Sequence, residues 1–173
     1  AEVLAQILAS LKNPDGSVAI EGFYDGVSEV PEAFRRAWAR HAFDGEKFLA
    51  DVGLSTPAGE AGRPITEQLW SRPSAEIHGL AGGHAGDGFK AIVPHEAHAK
   101  LAFRLVAGQD PLRIRDLFRA HVLKHLPPDA KAEFTDRTMG TAYALPPDFP
   151  LLAPVEAALR EEWGDVALMG TGG

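Results

Sequence analysis

The chain has 173 residues, 45% of them hydrophobic and 24% charged, which is enough for one domain with a sizeable core and short for two. Seventeen Lys and Arg against 24 Asp and Glu leave a net charge of −7, which argues against a basic grip on nucleic acid or a membrane surface. The absence of Cys excludes disulfides, thiolate metal sites and cysteine nucleophiles, and no apolar run approaches the roughly 18 residues of a membrane span, so the sequence reads as soluble.

Val3, Leu4, Ile7, Leu8 and Leu11 form a helical stripe that the turn Asn13-Pro14-Asp15-Gly16 closes. An extended piece with Val18 and Ile20 leads through Gly22 and Gly26 to a second helix starting near Pro31, with Phe34, Trp38 and Ala42 on one side. A third helix is expected from Gly45 to Val52, turning Phe48, Leu49 and Val52 inward, with Gly53 as its stop. The Pro- and Gly-rich stretch from Ser55 to Pro64 reads as a linker. Beyond it the period changes from 3.6 to 2. Ser74 to Leu80 reads as a strand, with Ala75 and Ile77 set against Glu76 and His78, and a Gly-rich loop from Gly82 to Gly88 follows. A second strand carries Ala97, Ala99, Leu101, Phe103 and Leu105 on one face and His98, Lys100, Ala102 and Arg104 on the other.

Asp110-Pro111 supplies an N-cap and first-turn pair for a helix to about Leu126, with Ile114, Leu117, Phe118 and Val122 as its stripe and Pro127-Pro128 as its stop. Residues 131–145 read as extended, anchored by Phe134 and Tyr143. A last helix from Pro154 to Trp163 is expected to turn Val155, Leu159 and Trp163 inward. The fold class is α+β, an antiparallel, ferredoxin-like sheet with helices packed on one face. The sequence opens without Met in a helical pattern and stops in a strand-like run ending Gly172-Gly173, as expected of a piece of a larger protein.

The residues alone assemble no complete catalytic set. His121 and His125 stand at i and i+4 on a helix, the spacing of a two-His metal face, yet no third ligand accompanies them and they read as histidines at the rim of a packed stripe. His84, His95 and His98 crowd near the Gly-rich loop without a carboxylate pattern. That loop lacks the Gly-Lys-Ser/Thr of a phosphate-binding loop, and no Gly-x-Ser-x-Gly elbow is present. His78 and Arg104 fall on the polar sides of their strands, where an Arg can grip a carboxylate with two bonds and where either residue can equally be an ordinary solvent-facing one.

Three segments in order, Arg72-Pro73-Ser74-Ala75-Glu76-Ile77-His78-Gly79-Leu80, then Gly86 to Pro94, then Ala99-Lys100-Leu101-Ala102-Phe103-Arg104-Leu105-Val106 with Gln109-Asp110-Pro111, resemble the dimerisation or lid domain of metallopeptidase family 20. The likeness is to its carnosinase and cytosolic nonspecific dipeptidase branch, and Leu11 to Gly16 and Ile20-Glu21-Gly22-Phe23 extend it toward the start. It implies a lid inserted into a separate catalytic domain that holds two zinc ions, so this chain would bind no metal itself. On that pattern residues 1–64 are a helical lead-in from the catalytic-domain junction, 65–150 the sheet-forming domain, and 151–173 a helix and strand returning to the catalytic domain. Two copies would pair sheet edge to sheet edge. His78 would act catalytically in trans, stabilising the polarised scissile carbonyl in the partner's site. Arg104 would bind the substrate's terminal carboxylate, and Gly172 and Gly173 would begin a substrate-binding Gly-Gly-Ser-Ile-Pro loop. Ala91 stands where the family pattern Gly-x-Lys-Thr-Val-Ile-Pro has Thr. The implied parent is a cytoplasmic hydrolase of a peptide or N-acyl amino acid, with dipeptidase, deacylase and carboxypeptidase left undistinguished, and with no nucleic-acid or membrane partner. The rival expectation is a stand-alone α+β ligand-sensing or oligomerisation module. An RNA-binding sheet is disfavoured by 8% aromatics and the acidic balance.

Overall fold

The computed structural model describes residues 1–40, 43–164 and 166, and the expected places of Ala42, Gly172 and Gly173 fall outside them. In chain order the elements are α1 (Glu2–Ala9), α2 (Glu32–Arg40), α3 (Gly45–Asp51), α4 (Ile65–Trp70), β1 (Ser74–Gly82), β2 (Ala97–Arg104), α5 (Pro111–Lys124) and α6 (Leu152–Trp163). The class is α+β, as the change of period from 3.6 to 2 implies. Among the described residues β1 and β2 pair antiparallel in one two-stranded sheet, with Ser74 opposite Arg104 and Gly82 opposite Ala97.

The core forms where the helices meet one face of that sheet. The stripe of α1 delivers Leu8 and Leu11, the extended piece delivers Val18, Ile20 and Phe23, and Ala75 of β1 and Ile114 of α5 complete the buried cluster. Leu101, Phe103, Leu117 and Phe118 pack against it. Phe23 is 0% exposed, its ring 6.0 Å from that of Phe103, which in turn lies 5.2 Å from Phe118. The start of α5 is set as expected, with the Asp110 carboxylate accepting from the Leu112 amide at 3.0 Å and Pro111 in the first turn. A second, aromatic cluster joins α2, α3 and α4: Trp38 stacks on Phe34 and meets Trp70 edge-on, and Phe43 lies between Phe48 and Trp70.

Residues 55–64, expected as a linker, are pinned in their second half. The Ala61 amide donates to the Asp15 carbonyl at 2.7 Å, and Gln68 Nε2 donates to the carbonyls of Glu60 and Arg63. Arg72 makes two bonds to the Glu60 carboxylate and lies over the Tyr24 ring. Arg63 bridges Glu29 and Glu67, and Arg35 bridges the same two acids. The Arg63 guanidinium holds the Glu29 carboxyl down to about 2, and burial beside Glu60 pushes the Tyr24 phenol up to about 12.

Several inward expectations fail, each for a local reason. Ile77 is 52% exposed although Ala75 is buried, because at that level of the sheet it is Leu101 of β2, opposite Ile77, that packs against the core. Phe48 and Val52 of the α3 region are exposed and only Leu49 is buried, because seven residues present one narrow contact strip. Residues 131–145 form no strand. Phe134 does anchor them, edge-on to Phe118 and under Arg119, whereas Tyr143 is 80% exposed. Helix α6 has no buried residue. Helix α4 was not anticipated, since its six residues are too few to show a period.

The lead-in is locked to the sheet at one close approach. Gly26 and Gly108 sit at φ +83° and +94°, and a Cβ on either would overlap the other's carbonyl oxygen. Beside them the buried Gln109 donates through Nε2 to the Phe23 carbonyl at 2.6 Å and accepts from the Val106 amide at 2.9 Å. Gly26→Ala combines a left-handed L-residue, about 1–2 kcal/mol, with overpacking of about 1–3 kcal/mol. Urea unfolding is expected to show a loss above about 2 kcal/mol, whereas Gly140→Ala, in open space, should leave the midpoint unchanged.

Candidate functional site

The face of the sheet away from the core carries Ser74 and Glu76 from β1 and Lys100, Ala102 and Arg104 from β2. The register breaks between Ile77, opposite Leu101, and Gly79, opposite Lys100, so His78 is an extra residue in a β-bulge with no partner of its own. A bulge twists the strand and re-aims the side chain it carries. His78 is exposed.

Arg104 lies at the other end of the strand pair, half-buried, with Nη1 donating to the Leu69 carbonyl at a long 3.4 Å. The other arginines below the surface, Arg35, Arg63, Arg72, Arg115 and Arg119, each have a carboxylate partner. Among the described residues Arg104 has none. Opposite it, the buried Oγ of Ser74 has no hydrogen-bond partner among the described residues either. A half-buried guanidinium that has no acid among the described residues is an arrangement that suits a carboxylate. Ser74 was not singled out from sequence. The signal that identifies it is its register position opposite Arg104, which needs the strand pairing and the bulge to be known.

His78 and Arg104 do not converge on one point. Four residues separate His78 from Ser74, the partner of Arg104, which at about 3.3 Å per residue is roughly 13 Å along the sheet. The loop beyond β1 leaves Phe89, Ile92 and Val93 exposed around Ala91. His95 and His98 each stand 3.8 Å from a different oxygen of the exposed Glu96.

A family model described as a peptidase dimerisation domain, M20_dimer, matches residues 1–130. Among curated proteins, the Cys-Gly metallodipeptidase of Saccharomyces cerevisiae is 27% identical over 118 residues, covering 68% of this chain and 24% of that protein. The Beta-Ala-His dipeptidase of Rattus norvegicus is 24% identical over 123 residues, covering 71% and 24%. The chain therefore spans about a quarter of the length of these relatives. Among solved structures, an M20 family metallo-carboxypeptidase from Sulfolobus solfataricus is 37% identical with a TM-score of 0.63, over 72% of this chain and 32% of that one. Human carnosine dipeptidase 1 shares the fold at a TM-score of 0.75 and 21% identity, over 99% of this chain and 37% of that one.

Two of these relatives are metalloenzymes by name, and among the described residues of this chain no three His, Asp or Glu side chains come together as ligands. The nearest approach, His121 and His125, is structurally committed. The rings stack 4.4 Å apart, His125 Nδ1 bonds the His121 carbonyl, and His121 Nε2 bonds Ser10 Oγ at 2.9 Å. The Ser10 hydroxyl donates to the Ile7 carbonyl, so the imidazole is the donor to it, and the contact ties the end of α1 to α5. Burial, then His125 and Lys124, lower the His121 pKa from its ordinary 6.5. The folded state thus resists protonation there, so this contribution to stability is fully present above about pH 6.5 and is lost progressively as the pH falls from that value to the lower folded-state one. Urea midpoints are expected to drop between pH 7.5 and pH 5, with a smaller drop in His121→Gln, which keeps a donor to Ser10 but does not titrate.

Proposed function

The chain belongs to the M20 peptidase dimerisation domain family, and from that membership we propose that it is the dimerisation and substrate-capping domain of a zinc-dependent peptidase or amidohydrolase. In this reading the 173 residues are inactive alone. A cytoplasmic parent carries two zinc ions in a separate catalytic domain, residues 1–64 lead in from it, 65–150 build the sheet, and 151–173 return to it. Two copies associate by pairing sheet edges, since β1 and β2 each have one outer edge unpaired among the described residues.

The observation that carries the substrate role is the half-buried Arg104, which has no carboxylate partner among the described residues and stands across the ladder from Ser74, whose hydroxyl has no partner among them either. A dipeptide or N-acyl amino acid offers the terminal carboxylate that such a fork takes. His78 does different work. It stands about 13 Å away along the sheet, too far to share a small substrate readily with Arg104, which supports its acting at the partner's site, where an imidazole N–H would stabilise negative charge on the scissile carbonyl oxygen. Gly172 and Gly173 belong to this proposal as substrate-loop residues. Ala91 offers no hydroxyl, so the contact a Thr would make there is missing.

The test uses the full-length parent. Arg104→Lys keeps the charge and loses the fork. Losing one partner of a desolvated charge pair costs about 2–5 kcal/mol, so activity on a dipeptide and N-acyl amino acid panel should fall by roughly two to three orders of magnitude at about 1.4 kcal/mol per tenfold, without loss of melting temperature. Mixing His78→Ala with a variant lacking a zinc ligand should restore activity, because one site of the mixed dimer then has both its metal and the neighbour's His78. No restoration despite verified subunit exchange, or unfolding by either single change, would overturn the assignment.

A further inference from the structure

Glu67 of α4 is a buried carboxylate, 4% exposed. Its Oε1 accepts from Arg35 Nε of α2 at 2.9 Å and its Oε2 from Arg63 Nη1 at 3.3 Å, and both arginines also bond Glu29. A helix of six residues does not hold its shape alone in water. These bonds, with Trp70 edge-on to Trp38, therefore set where α4 lies and where its last carbonyls point. The final carbonyls of a helix have no partner within it. That of Glu67 takes the amides of Ser71 and Arg72 and the Ser71 hydroxyl, and that of Leu69 takes Arg104 Nη1. With Nη1 held there, the parallel N–H bonds of Nε and Nη2 form the side of the Arg104 guanidinium left for a carboxylate, and neither atom has an acceptor among the described residues.

We infer that Glu67 is a positioning residue for the substrate's carboxylate. It touches no substrate. Clamped between Arg35 and Arg63, it fixes the end of α4, and the Leu69 carbonyl two residues on holds Arg104 so that its Nε–Nη2 side faces outward. The inference rests on the carboxylate-binding role proposed for Arg104 and adds what aims that side chain. The long 3.4 Å bond to Leu69 makes the aim sensitive, because a small shift of α4 breaks it. Glu67→Gln keeps the shape and one acceptor oxygen while removing the charge that draws two guanidinium groups together. Arg35 and Arg63 retain Glu29, so the variant is expected to fold.

The test uses the full-length protein and two uncleavable probes, alanyl-alanine with a CH2–NH link in place of its amide and the C-terminal amide of the same compound. Calorimetry gives the affinity for each, and hydrolysis of alanyl-alanine is followed on the same samples. Glu67→Gln should weaken binding of the acid by about ten- to a hundredfold, the scale of a misplaced contact, and change binding of the amide by less than about twofold. On an Arg104→Lys background the same change should add no further loss, since the two act through one contact. Arg35→Met, which removes one half of the clamp at a part-exposed site, should show the same selective loss and serves if Glu67→Gln is poorly folded. Equal losses for acid and amide, an undiminished loss on the Arg104→Lys background, or no loss would each overturn the inference and reduce Glu67 to a packing residue. An unaltered protein that cleaves alanyl-alanine but binds the acid no better than the amide overturns the inference and leaves the peptidase reading standing. Selective loss of acid binding in a protein that cleaves no dipeptide supports the inference and counts against that reading.

Discussion

The close approach of Gly26 to Gly108, with the Gln109 amide spanning Phe23 and Val106, is the constraint on which the rest of the structure depends. A two-stranded sheet is marginal by itself. It persists here because residues 1–26 cross under it and fill its inner face with Leu8, Leu11, Val18, Ile20 and Phe23. Two backbones that touch leave no room for a side chain, and the buried carbonyl and amide they bring together are both satisfied by one glutamine. The lead-in is thereby part of the same core as the sheet, and the ion pairs of Glu29, Glu60 and Glu67 with Arg35, Arg63 and Arg72 extend that fixation through residues 55–72. With its inner face held in this way, the outer face of the sheet is free to present Ser74 and Arg104.

Periodicity located what depends on local chemistry. The stripe of α1, the alternation of β2 and the Asp110-Pro111 start of α5 follow from propensity, pleat and capping, and all three appear where the sequence puts them. Burial is a property of the partner and not of the pattern, and there the sequence was a poorer guide. Ile77 alternates correctly and is still exposed, while Leu101 opposite it takes the place against the core. Val155, Leu159 and Trp163 form a correct stripe, yet none of them is buried. Residues 131–136 alternate and lie extended along α5, where Arg119 and Arg115 hold Asp136 and Phe118 receives Phe134, yet no neighbouring strand is present among the described residues to make them a strand.

The site was legible to a similar depth. Alternation placed His78 and Arg104 on the polar face, and family resemblance gave them roles. What separates Arg104 from an ordinary surface arginine is three-dimensional: partial burial and, among the described residues, the lack of an acid beside it and of a partner for the Ser74 hydroxyl across the ladder. The bulge that frees His78 from the ladder depends on a one-residue mismatch between two strands, which neither strand reveals alone. The histidine pair on α5, by contrast, has the spacing of a metal face and the hydrogen bonds of a structural contact.

The central claim, that this chain dimerises through an open sheet edge, is tested most directly by amide hydrogen exchange of the 173-residue chain as a function of its concentration. Pairing predicts protection that rises with concentration and is confined to the outward-facing amides of either β1 or β2, with α1 and α5 unchanged. Exchange in both strands that is independent of concentration up to about 1 mM, roughly the range where even weak pairs form, would contradict it.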